Sequence, residues 1–147
     1  MISIEKNGNN DDCAISVSIK KSEIRFHSKN YCSDEHIDYQ IKNFCEFLKS
    51  FSFGPSDAKF TLIFGEDVPT SKIRPPNIYF ERQQSGKFIV KASLMQKIPG
   101  ISNDICDKCE LFFGADLASI DKFALELKLF NKLDLSVATL ETFDPFY

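Results

Sequence analysis

The sequence predicts an α+β fold: a mostly antiparallel sheet of about five to seven strands with two amphipathic helices packed on one face. Three observations predict it. Short β-rich runs recur along the chain, some with apolar and polar positions in alternation. Several of them are joined by turns too short for a parallel crossover. Two longer segments carry apolar residues at helical spacing, and each has a single stripe that needs one surface to cover. The 147 residues suit one domain, 1–147, with one core.

The turn-rich NGNNDD precedes CAISVSIK, Cys13 to Lys20, a β-rich run. SEIRFHS, Ser22 to Ser28, alternates cleanly, and Lys20-Lys21-Ser22 suits the turn of a hairpin between the two. Ser33 or Asp34 can cap a helix with acids in its first turn. Ile37, Ile41, Phe44, Leu48 and Phe51 then make one stripe, and FGPSD ends it. AKFTLIF, Ala58 to Phe64, is a strand, and GEDVPTSKIRPP is a loop whose prolines exclude a central strand. NIYFERQ and KFIVKASLM form a hairpin around Ser85-Gly86. DICDKCELFF, Asp104 to Phe113, is the next strand, and Asp116 caps a second helix with a stripe of Ile120, Phe123, Leu127 and Phe130. A further strand at either end is compatible with this order; the tail LDLSVATLETFDPFY has room for one.

The second helix repeats the first. IKNFCEFLKSF, Ile41 to Phe51, and IDKFALELKLF, Ile120 to Phe130, agree at Ile41/Ile120, Phe44/Phe123, Leu48/Leu127, Lys49/Lys128 and Phe51/Phe130. Two helices meeting the same packing demand would share the apolar matches. The alternative is a quasi-repeat of two strand-helix units, EIRF with the first helix and CELFF with the second, to which the matched lysine adds weight. Under both readings the Phe and Leu stripes are core, and burial contributes about 1.5–3 kcal/mol per side chain.

Charge and cysteine content narrow the function classes. Net charge is −3, but Met1 to Ser102 carries +2 and Asn103 to Tyr147 carries −5. The acidic third disfavours phosphate binding there and can complement a basic protein. Five cysteines without a secretion signal are expected to be reduced thiols in the cytoplasm. CDKC, Cys106 to Cys109, precedes a strand rather than opening a helix, so it lacks the dipole that activates a redox pair. Zinc needs about four ligands, and Cys32 with His36 is the other close Cys/His pair. His27 falls in a strand, and no glycine-rich phosphate loop exists. Glu66 and Asp67 stand side by side on a loop, where adjacent acids are normally solvated. NIYFER followed by KFIVK interleaves aromatics with charge as an RNA-binding sheet does, without the glycine-aromatic signature of one. The expectation is therefore no catalytic, metal or cofactor residue, and no nucleic-acid or membrane partner.

From SEIRF to KLF the layout resembles the small immunity proteins of bacterial polymorphic-toxin and contact-dependent growth inhibition systems. CELFFGADLASIDKFALELKLF, Cys109 to Phe130, resembles the closing strand-helix element of one such group. The resemblance implies an α+β scaffold and a cognate toxin domain as partner, a nuclease among the possibilities, bound without enzymatic action. No individual functional residue carries over, because these families neutralise toxins through different surfaces. Exposed acids of the C-terminal third, Asp104, Asp107, Glu110, Asp116 and Asp121, are the candidate partner contacts. Phe146 and Tyr147 are candidate anchors, and the loop holding Glu66 and Asp67 is a second candidate surface. The competing expectation is a small adaptor or ligand-binding domain with a pocket between sheet and helices.

Overall fold

Strand exchange organises the chain. The computed structural model describes residues 1–7, 14–50, 58–66, 72–83, 85–98, 106–131 and 136–145. Strands β1 (Ile2–Asn7), β2 (Ala14–Lys21) and β3 (Ile24–Tyr31) form a meander that leads into helix α1 (Asp34–Lys49). Strands β4 (Lys59–Ile63), β5 (Asn77–Arg82), β6 (Phe88–Lys97) and β7 (Cys106–Ala115) form a second meander. Helix α2 (Leu117–Lys128), a 3-10 turn (Leu129–Asn131) and strand β8 (Val137–Leu140) complete the order. The strands make two four-stranded antiparallel sheets, β3-β2-β1-β8 and β4-β5-β6-β7.

The α+β class and antiparallel pairing match the sequence reading, but one sheet of about five to seven strands does not. The described residues hold eight strands in two sheets, and the two helices do not share one sheet face. The physical reason is that each helix carries the chain from the edge of one sheet to the edge of the other. Helix α1 leaves β3 and delivers β4 to the second sheet; α2 leaves β7 and delivers β8 to the first.

The two halves are therefore topologically equivalent, with β1 to β4 and α1 matching β5 to β8 and α2. Their ladders agree residue by residue. The row Ala138–Ile4–Val17–Ser28 of one sheet answers Phe60–Phe80–Val90–Phe113 of the other. One residue past each strand end, Lys6 N–H donates to the Ser136 carbonyl at 2.7 Å and Arg82 N–H donates to the Ala58 carbonyl at 3.0 Å. The quasi-repeat thus exists in the chain's topology, but across two sheets rather than on one.

Local chemistry sets the helix ends. Ser33 caps α1 by accepting from the His36 N–H at 3.2 Å, with Asp34 and Glu35 in the first turn and Lys49 in the last. Asp116 caps α2, which begins one turn later relative to the matched residues. The extra turn of α1 holds Asp34, whose carboxylate pairs at 2.7 Å with the buried Lys6 ammonium of β1. A buried ammonium requires such a partner.

The buried side chains form one cluster that takes in both sheets, Ile37, Ile41 and Phe44 of the first stripe and all four residues of the second; Leu48 is half-buried against it, and Phe51 lies outside the described residues. Phe44 lies at its centre, 4.9 Å from Phe80, 5.6 Å from Phe60 and 6.2 Å edge-on from its own counterpart Phe123. Each helix also attends to the edge strand it delivers. His36 Nε2–H donates to the Ile63 carbonyl at 3.2 Å, and Gln40 Oε1 accepts from the Ile63 N–H at 3.2 Å. Glu126 of α2 accepts from the Thr139 N–H of β8 at 3.4 Å. Polar groups of exposed edges invite foreign strands, and these side chains occupy some of them. No helix among the described residues is long and apolar enough to cross a membrane.

Because each sheet borrows a strand from the other half, neither half should fold alone. Fragments 1–66 and 72–147 are expected to show no cooperative thermal transition separately and to recover one when mixed. A monomeric 1–66 fragment that melts cooperatively would contradict the exchange.

Candidate interaction surface on the second helix

The acids singled out from the sequence do not gather. Asp107 and Glu110 are both exposed on β7, but three residues apart on a strand they point to opposite faces. Glu110 accepts a 3.2 Å hydrogen bond from the Ser93 hydroxyl of β6. Glu66 is exposed beyond β4, while Asp67, Asp104, Phe146 and Tyr147 lie outside the described residues. Asp116 and Asp121 are exposed and belong to α2.

Asp116 is occupied as a helix cap. Its Oδ1 accepts from the Ser119 N–H at 2.8 Å. That bond, then the Ser119 hydroxyl, hold the carboxyl below the ordinary carboxylate range, with Lys87 adding in the same direction.

Among the described residues the cysteines and histidines form no reactive pair; Cys13 lies outside them. Cys106 and Cys109 sit on β7 opposite Lys97 and Leu94, and their spacing directs them to opposite faces. Burial pushes the Cys109 thiol up, away from the thiolate that nucleophilic or redox work requires. Cys32 is buried and Cys45 half-buried, and neither is in a disulfide. His36 is engaged with the β4 carbonyl, and His27 with the Ser18 hydroxyl at 3.0 Å. Among the described residues no three His, Cys, Asp or Glu side chains lie close enough to hold a metal ion.

The interleaved aromatics of the second sheet do line up. Tyr79, Lys91 and Phe112 are neighbours across β5, β6 and β7, with the Lys91 ammonium 5.7 Å from the Tyr79 ring centroid. The row is flanked on the same face by two carboxylates. Glu81 accepts from the Tyr79 hydroxyl at 2.9 Å, and Glu110 lies two residues from Phe112. Carboxylates at that spacing oppose a phosphate backbone.

The feature that stands out is the solvent side of α2. Leu117, Leu125 and Leu129 are 41%, 60% and 46% exposed. With Asp121 they recur every fourth residue and form one stripe along the helix as far as its C-cap, Leu129. The matched helix shows what the fold itself asks for at these places. Aligned through Ile41/Ile120 and Phe44/Phe123, α1 carries Asp38, Glu46 and Ser50 where α2 carries Leu117, Leu125 and Leu129, and all three are exposed. Helix α1 has the same core stripe and exposes one large side chain of its own, Tyr39. Apolar side chains on the outside of α2 are therefore not a requirement of the helix or of its packing.

Leu125 also borders a groove of about 360 Å³ between the helices. Cys45, Leu48 and Lys49 of α1 line it with Asp121, Ala124 and Lys128 of α2. The matched lysines thus meet at one surface feature. Sequence reasoning named Asp121 but missed the leucines around it. The signal was present in the mismatches of the two helices rather than in their matches.

Compared with known proteins, the chain matches no family model, no curated protein and no solved structure.

The capping geometry yields a pH-dependent expectation. A carboxyl held low in the folded chain contributes stability above its unfolded pKa and loses it as pH falls through the folded value. Asp116→Ala should cost about 1 kcal/mol at neutral pH. The gap to wild type should narrow in acid, as chemical denaturation at several pH values would reveal. Asp116→Asn, which caps without titrating, should keep most of the neutral-pH stability.

Proposed function

We propose that the protein is a non-enzymatic binding module that engages a partner protein through the leucine stripe of α2 and the adjoining interhelix groove. The partner is read as a cognate toxin domain and the chain as its cytoplasmic immunity protein. The contrast between α1 and α2 carries the binding reading. Two helices serve the same structural role, and only one replaces its solvent-facing Asp, Glu and Ser by leucines. Large exposed apolar side chains clustered on one helix face are a usual mark of a protein contact.

The toxin reading rests on the resemblance of CELFFGADLASIDKFALELKLF to immunity proteins and on the charge of −5 from Asn103 onward. Leu117, Leu125 and Leu129 supply apolar anchors. Asp121 stands among them, with the capping Asp116 just before Leu117, and favours a positively charged rim on the partner, such as borders the substrate cleft of a nuclease. Charge of this kind speeds encounter and selects the partner, while buried anchors set the residence time.

On this reading the neighbouring reading frame encodes a secreted protein with a toxic C-terminal domain, and the test is co-expression of the full chain with that domain. The expected result is a stable complex and protection of the host cell. Leu125→Glu together with Leu129→Ser should weaken binding about 100-fold, as loss of central anchors does. Absence of both complex and protection would reject the toxin reading. A dimer of this chain abolished by the same double substitution would assign the stripe to self-association instead.

A further inference from the structure

We propose that a cleft at the turn end of β2 and β3 binds a small organic anion: a phosphate or carboxylate group carried on an apolar body. The site lies on different elements from the α2 stripe and does not depend on the partner reading. Its centre is a square of four side chains on one face of the hairpin. Ser18 is paired with His27, and Lys20 with Arg25.

Two cations directly opposite each other across a ladder repel, and a sheet ordinarily avoids the arrangement. Here the pair sits in a cleft of about 470 Å³ with no Asp or Glu among its described lining residues. The volume suits a small molecule. A bound anion would convert the repulsion into two charge-assisted contacts.

The neighbouring pair supplies a neutral donor whichever way its proton lies. The Ser18 hydroxyl and His27 Nδ1 are 3.0 Å apart. If the hydroxyl donates, the ring keeps its N–H at Nε2; if the ring donates, the hydroxyl hydrogen is left for a ligand. Phe26 points to the other face of the edge strand β3 and meets the cleft around that edge, beside Gln96 of β6 from the other sheet. Both faces of the proposed ligand, the anionic group and the apolar body, therefore have a matching surface.

The turn that closes the hairpin is conformationally costly. Ser22 adopts φ 53°, in the left-handed region where glycine is usual. Backbone held in such a region often accompanies a binding site. Here it sets the registered pairs Ser18/His27 and Lys20/Arg25 at the cleft.

Amide NMR titration of the intact chain tests the proposal, with phenyl phosphate, phenylacetate and inorganic phosphate as probes. Saturable shifts are expected at Ser18, Lys20, Arg25 and His27 with at least one of the two aromatic anions. The stronger of them identifies the anionic group. Inorganic phosphate, which lacks the apolar body, should bind more weakly than phenyl phosphate. Arg25→Gln should weaken the binding about tenfold. It should leave the unliganded melting temperature unchanged or higher, because one of two repelling charges is gone. No saturable shift with any probe, or equal binding by Arg25→Gln, would overturn the site. So would a fall in unliganded stability with binding intact, which would make the cation pair structural.

Discussion

The contact between Phe44 and Phe123 is the constraint on which the rest of the structure depends. The two rings occupy equivalent places on equivalent helices and meet edge to face at 6.2 Å. Each helix must present its stripe to the core and still deliver the next strand to the opposite sheet. Both conditions are satisfied only if the helices lie side by side over the shared core, stripe inward. Phe44 ties that junction to the second sheet through Phe60 and Phe80. The energetic scale is that of core aromatics, where truncation costs about 3–5 kcal/mol. That is a large part of the 5–15 kcal/mol or so that stabilises an ordinary domain.

This arrangement frees the outward sides of the helices from structural duty and makes them comparable. The chain contains its own control. At these places α1 carries polar groups: Asp38, Glu46 and the C-cap Ser50, whose hydroxyl donates to the Phe47 carbonyl at 2.7 Å. Helix α2 departs from it with three leucines, each of which would gain about 1.5–3 kcal/mol on full burial. Such surface left in water is a liability unless something covers it. The lysines matched in the two helices, Lys49 and Lys128, then border the groove beside those leucines.

Much of the scaffold was legible in the sequence because it follows from periodicity and caps. Both helices, the Ser33 and Asp116 caps, the hairpin around Ser85-Gly86 and the strands β4 and β7 are all local statements. The division into two sheets was not legible. Which edge a strand joins is decided by long-range pairing, and the alternation of β4 reads the same whether it pairs with β3 or β5. Val137–Leu140 is only four residues long, and the inward positions of Ile2–Asn7 are Ile2, Ile4 and Lys6, so its alternation is broken by a buried lysine. The acids drew attention because charge is easy to count, but strand geometry separates Asp107 from Glu110. The cation pair Lys20 and Arg25 could not be seen before the register was known, since only the ladder sets those two opposite each other.

The central claim is that the leucines of α2 answer a demand other than folding. The most direct test is the chemical denaturation of a chain in which α2 takes the solvent face of α1: Leu117→Asp, Leu125→Glu and Leu129→Ser together. The account predicts stability within about 0.5 kcal/mol of wild type for each exchange, as at ordinary surface positions. A loss of about 2–5 kcal/mol per leucine, the cost of core truncation, would show that these side chains hold the fold together and would contradict the account.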